Sequence, residues 1–105
     1  MEIKILLDSS LEEFIGSLQK STIAKVLRTI DLLGEFGPKL GMPHTKKISA
    51  QLFELRIRGT QEIRIFYTFH KSQIYLLHGF IKKSERTPKK EIRLALQKLK
   101  KLDIV

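Results

Sequence analysis

A chain of 105 residues, 42% hydrophobic and 30% charged, is sized for one domain over residues 1–105 with its own core, and the absence of cysteine excludes disulfides and thiolate metal sites. The net charge of +9 favours polyanionic partners: nucleic acid, an acidic protein segment or an anionic membrane surface. No apolar stretch approaches the roughly 18 residues of a membrane span, and Met1-Glu2-Ile3-Lys4 does not open a signal peptide, so the sequence reads as a cytoplasmic protein without a membrane role.

Residues 3–7 are a short apolar run that suits a strand, closed by Asp8-Ser9-Ser10. Ser9 stands three before Glu12, and Ser10 three before Glu13, so either pair predicts a capping box. Leu11, Phe14, Ile15 and Leu18 then recur at helical spacing. After a break at residues 19–22, Ile23, Val26, Leu27, Ile30 and Leu33 write a second helix, which Gly37-Pro38 stops. Residues 38–47, with Gly41, Pro43 and three lysines, read as a loop.

From Lys47 the period becomes two. Phe53, Leu55 and Ile57 alternate with Glu54, Arg56 and Arg58; after Gly59-Thr60-Gln61, Ile63, Ile65, Tyr67 and Phe69 alternate with Glu62, Arg64, Phe66 and Thr68. This predicts a β-hairpin with a three-residue loop. Residues 70–72 turn the chain again, and residues 73–81 are apolar on both faces, as for a central strand covered on two sides. Thr87 as N-cap and Pro88 at the first helical position open a last helix, with Ile92, Ala95, Leu96 and Leu99 as its buried stripe. The order is β-α-α-β-β-β-α, an α+β class.

The three-residue turn sets a register. If Arg58 pairs with Glu62, Arg56 stands opposite Arg64, away from the Phe53–Leu55–Ile57 face. Facing like charges cost up to about 1 kcal/mol, so something must offset them. Two readings stand: Glu54, diagonal to Arg64, bridges the arginines on a solvated surface, or the arginines hold a phosphate through their bidentate forks. The next strand emits Lys82 and Lys83, and residues 82–101 hold nine basic and two acidic residues, a local net of +7. That concentration favours the phosphate reading.

Four linked motifs carry a resemblance: Leu52-Phe53-Glu54-Leu55-Arg56-Ile57-Arg58, Ile63-Arg64-Ile65-Phe66-Tyr67, Leu76-Leu77-His78-Gly79-Phe80-Ile81-Lys82-Lys83 and Thr87-Pro88-Lys89-Lys90-Glu91-Ile92. In this order, over residues 47–99, they resemble the RelE/HigB superfamily of toxins, closest to its phage-derived HigB-like branch; residues before 47 agree only in pattern. The resemblance implies a type II toxin–antitoxin toxin, a ribosome-dependent endoribonuclease that cuts messenger RNA and inhibits translation without a metal or other cofactor. It implies a helix-turn-helix, HigA-like antitoxin as partner. The implied fold is a twisted, mainly antiparallel sheet, with an N-terminal antiparallel helix pair and a C-terminal helix, packed on one side.

The resemblance carries the family's arginine onto Arg64 and a basic residue of the preceding strand onto Arg56. The basic pair after the central strand falls on Lys82 and Lys83. Glu54 stands where some relatives have a second basic residue, which makes it the candidate base for a ribose 2′-hydroxyl attacking the adjacent phosphorus, while Arg56, Arg64, Lys82 and Lys83 would neutralise the phosphorane. Arg64 is expected on an exposed strand face, where truncation leaves a fold intact.

Among the histidines, His44 and His70 read as solvated loop residues, and His78 as a hydrogen-bonded, buried strand residue; their separate elements lack metal-ligand spacing. Tyr67 reads as core, while Phe66 either stacks a base or packs on the last helix. Two other functions compete: a basic nucleic-acid-binding module without catalysis, and a degenerate toxin retained as an antitoxin partner.

Overall fold

The computed structural model describes residues 1–5 and 9–103, so Leu6 and Leu7 of the first apolar run, and Asp8 after it, lie outside the described residues. Strand β1 (Glu2–Ile5) leads to helices α1 (Ser10–Gly16) and α2 (Lys20–Phe36). Then come β2 (Thr45–Lys47), β3 (Phe53–Ile57), β4 (Ile63–His70), β5 (Gln73–Ile81) and α3 (Lys89–Asp103). The five strands form one sheet in the order β1-β5-β4-β3-β2. Only β1 runs parallel to its neighbour, β5. The α+β class and the element order match expectation, with one addition. Residues 38–47 are not all loop: Thr45–Lys47 pairs antiparallel with Phe53–Leu55 as a short edge strand. A strand this short, with two exposed lysines, has no apolar alternation to reveal it.

The β3–β4 register is the one the turn dictates, with Arg56 opposite Arg64 and Ile57 opposite Ile63. Lys71 and Ser72 make the β4–β5 turn with φ of 50° and 62°, the two-residue shape whose twist suits a hairpin. Between Phe66 and Tyr67 the β4–β5 ladder shifts register and leaves Leu77 as the extra residue.

Alternation along β3 and β4 sorts their side chains onto two faces. Leu55, Ile57, Ile63, Ile65 and Tyr67 meet Leu11, Ile15, Val26 and Leu33 from α1 and α2 in the larger core. Leu52, Phe66, Leu77 and Phe80 meet Ala95 and Leu102 of α3 on the opposite face. The helices therefore cover both sides of the sheet, not one. The physical reason is β5, apolar in both directions, which needs a layer on each face.

Local details differ too. Ser9 is the N-cap of α1, but its backbone is left-handed (φ 57°) and its side chain makes no cap bond, so the Ser9–Glu12 box does not form; Ser10 is already the first residue of the helix. Leu27 of the expected α2 stripe is 51% exposed, and Thr22 is buried instead. Helix α3 begins at Lys89, and the Thr87 hydroxyl serves Glu54 rather than the helix end. Gly37 does end α2, with φ of 54°.

Candidate nucleic-acid interface

On the α3 side of the sheet, Glu54 is the meeting point. Its Oε1 accepts a hydrogen bond from Arg56 Nε at 3.3 Å and pairs with Arg64 Nε at 3.7 Å. Its Oε2 accepts the Thr87 hydroxyl at 2.9 Å. Glu62, paired with Arg64 Nη2 at 3.6 Å, adds a second carboxylate; its Oε2 also accepts the Gly59 N–H at 3.1 Å. Arg64 Nη1 donates to the Ile63 carbonyl at 3.0 Å, while Arg64 Nε has no hydrogen-bond partner among the described residues. The facing arginines are thus offset by carboxylates, as strand pairing requires.

Burial separates the members. Side-chain exposure is 1% for Glu54, 3% for Arg64 and 14% for Arg56. This corrects the expectation that Arg64 lies on an exposed strand face. Phe66, Leu77 and Phe80 on the same face demand cover, α3 supplies it, and Thr87 draws the preceding segment across β3. Arg64 is buried with its neighbours. Desolvation holds its pKa below the ordinary arginine value, against the opposing pull of Glu54 and Glu62.

Five residues singled out from sequence take different places. Glu54, Arg56 and Arg64 are in direct contact. The Lys82 N–H donates to the Glu62 carbonyl at 2.7 Å, which brings that half-buried lysine alongside the network. Lys83 is exposed just beyond β5. Glu62 and Thr87 are site members the sequence reading did not expect; the hairpin register carried the signal for Glu62, while Thr87 reads locally as a helix cap.

The other candidates also resolve. His78 is half-buried, with Nε2 3.0 Å from Glu91 Oε1. Phe66 is fully buried and stacks on Phe80 at 5.7 Å, so it packs and does not await a base. His70 is not simply solvated, lying half-buried with its ring edge on Tyr75 at 5.9 Å. His44 is half-buried as well, its carbonyl accepting the Arg56 N–H at 2.8 Å. Tyr67 is core, stacked on Phe53 at 5.5 Å.

Among the described residues, no cluster of three or more His, Asp or Glu side chains could hold a metal ion, and no helix is long and apolar enough to cross a membrane. No curated protein matches the chain. A family model described as phage derived protein Gp49-like (DUF891) matches residues 13–100.

Proposed function

From the premise that this chain belongs to the phage-derived Gp49-like family (DUF891), a toxin-like family, we propose that it is the toxin of a type II toxin–antitoxin pair within the RelE/HigB superfamily and acts by cutting messenger RNA. The observation that carries the reading is the Arg56–Arg64 pair, set face to face by the hairpin and fixed by Glu54. The Arg56 guanidinium, held in one geometry by Glu54 beside the buried Arg64, is pre-ordered for an anion, which is the condition under which electrostatic stabilisation accelerates a reaction.

In this reading the ribose 2′-oxygen attacks the adjacent phosphorus and the 5′-oxygen leaves. The products are a 2′,3′-cyclic phosphate and a 5′-hydroxyl. Arg56, the least buried of the three, meets the phosphate with Lys82 and Lys83, and Arg64 acts as a positioning residue beneath it. Glu54 is assigned the bridge and not the base. Both of its oxygens are engaged and it is 1% exposed. The ribosome presents the message, and a helix-turn-helix antitoxin of the HigA-like kind is the partner that silences the toxin.

Inducing the chain alone in bacteria tests the reading. Growth arrest and new 5′ ends by primer extension on an abundant message are expected, and purified protein should cut only when ribosomes are present. Harmless expression with no new 5′ ends overturns it. The binding-only alternative draws on one observation, the enclosed state of Glu54 and Arg64, and predicts RNA affinity without cleavage.

A further inference from the structure

Beyond Arg56, away from the Glu54 network, a cleft of about 270 Å³ opens between α2 and the hairpin end of β3. Lys25, Arg28, His44, Arg56 and Arg58 line it, and no carboxylate does. The cleft exists because β2 pairs only with Phe53–Leu55, leaving the edge of β3 uncovered beyond that point except where the His44 carbonyl takes the Arg56 N–H. Lys25 leans over the hairpin turn into space that a side chain at position 59 would fill. A Cβ on Gly59 would stand 2.8 Å from Lys25 Nζ.

Charge makes the cleft unusual. Among the described residues, Lys25, Arg28 and Arg58 have no ion-pair partner; Arg56 alone of the lining is tied to a carboxylate. Like charges gathered without a counter-charge repel, and an anion relieves them. A water occupies about 30 Å³ of liquid, so the volume suits a phosphate with its flanking sugars better than a lone small ion. His44 is the one histidine of the lining, and an imidazole nitrogen can take up a proton.

We propose that this cleft binds a phosphodiester of RNA, and that His44 takes the proton from the attacking 2′-hydroxyl. The proton step rests on the ribonuclease reading; the binding step does not. In the reaction the 2′-oxygen–phosphorus bond forms, the phosphorus–5′-oxygen bond breaks, the 2′-hydroxyl proton passes to the imidazole, and the leaving 5′-oxygen takes a proton from water. Arg58 and Arg28 join Arg56 in neutralising the charge that builds on phosphorus, and Lys82 and Lys83, which do not line the cleft, hold the RNA beyond it.

Fluorescence anisotropy with a short single-stranded RNA carrying 2′-O-methyl groups measures binding without cleavage. Lys25→Ala/Arg28→Ala replaces two exposed α2 side chains. It is expected to weaken binding at least tenfold at about 50 mM salt and to flatten the log–log salt slope by about 1.4. Lys100→Ala/Lys101→Ala removes equal charge from the end of α3 and is expected to stay within about threefold. Equal losses from the two double variants overturn the cleft, as does a wild type without measurable affinity. On ribosome-bound message, His44→Gln is expected to slow cutting at least about a hundredfold, well beyond its loss of RNA affinity. Cutting at the wild-type rate overturns the role of His44. A wild type that binds the methylated RNA but cuts no message overturns the ribonuclease reading, and the role of His44 with it, while the binding cleft stands.

Discussion

Glu54 is a buried carboxylate in close company, touching two guanidinia and a hydroxyl. Removing one partner of such a group costs far more than an exposed pair contributes, because the remaining charge stays buried. Glu54→Gln keeps the shape and removes the charge, leaving Arg56 and Arg64 facing each other. A loss of about 3 kcal/mol is expected in urea unfolding at neutral pH, and the same from Arg64→Ala. A change under about 0.5 kcal/mol in either variant would show that the network contributes nothing to stability. The pairing of Arg56 with Arg64 was legible in the sequence because a three-residue turn leaves one register. Their burial was not, because alternation tells which residues share a face and is silent about what covers it. His44 was hidden for a related reason. A histidine beside a proline in a loop looks solvated until the fold sets it across a cleft from α2.

Tyr67 offers a pH test at the same scale. Burial raises its pKa from 10.0 to about 12, with the Thr45 hydroxyl pulling slightly the other way. A phenol whose pKa is higher in the folded state stabilises the fold fully below pH 10, and that contribution is lost as pH climbs from 10 towards 12. The loss amounts to up to about 3 kcal/mol. Tyr67→Phe should therefore lose less stability than wild type between pH 10 and 12 in thermal melts. Parallel losses would show that Tyr67 ionises as freely in the folded chain as in the unfolded one.

Elements fit by close approach as well as by charge. Helix α1 lies on β5 at Gly79, where an added Cβ would stand 2.9 Å from Leu11 Cδ1 and from the Phe14 ring. Gly79→Ala should cost about 1–3 kcal/mol through overpacking and lower the melting temperature by several degrees. An unchanged melting temperature would mean that α1 can shift without loss. The position of β5 at the middle of the packing was readable from its run of apolar residues on both faces. The edge strand β2 was not, since three residues bearing two lysines resemble loop. The face taken by α3 also escaped, because its stripe fits a sheet surface from either side.

Across the whole molecule, the sheet is a partition. One face is an apolar core with α1 and α2, while the other combines the α3 core with the carboxylate–arginine network. Carboxylates balance the arginines where the chain is enclosed. The surplus of positive charge sits at the margins, on Lys82, Lys83 and α3 and around the cleft beside α2. A charge distribution of this kind attracts polyanions from a distance and leaves the enclosed network to fix geometry.

The parallel pairing of β1 with β5 imposes an order in time. Residues 2–5 bond to residues 73–76, so β1 waits for its β5 partner until those later residues have been made. Thr87, which ties down Glu54, arrives later still. Contacts this distant along the chain close late, since loop entropy must be overcome before they form. While it is being translated, the growing chain carries an unfinished sheet edge and a loosely held arginine pair. The edge is completed once residues 73–76 have been delivered, and the arginine pair only after residue 87.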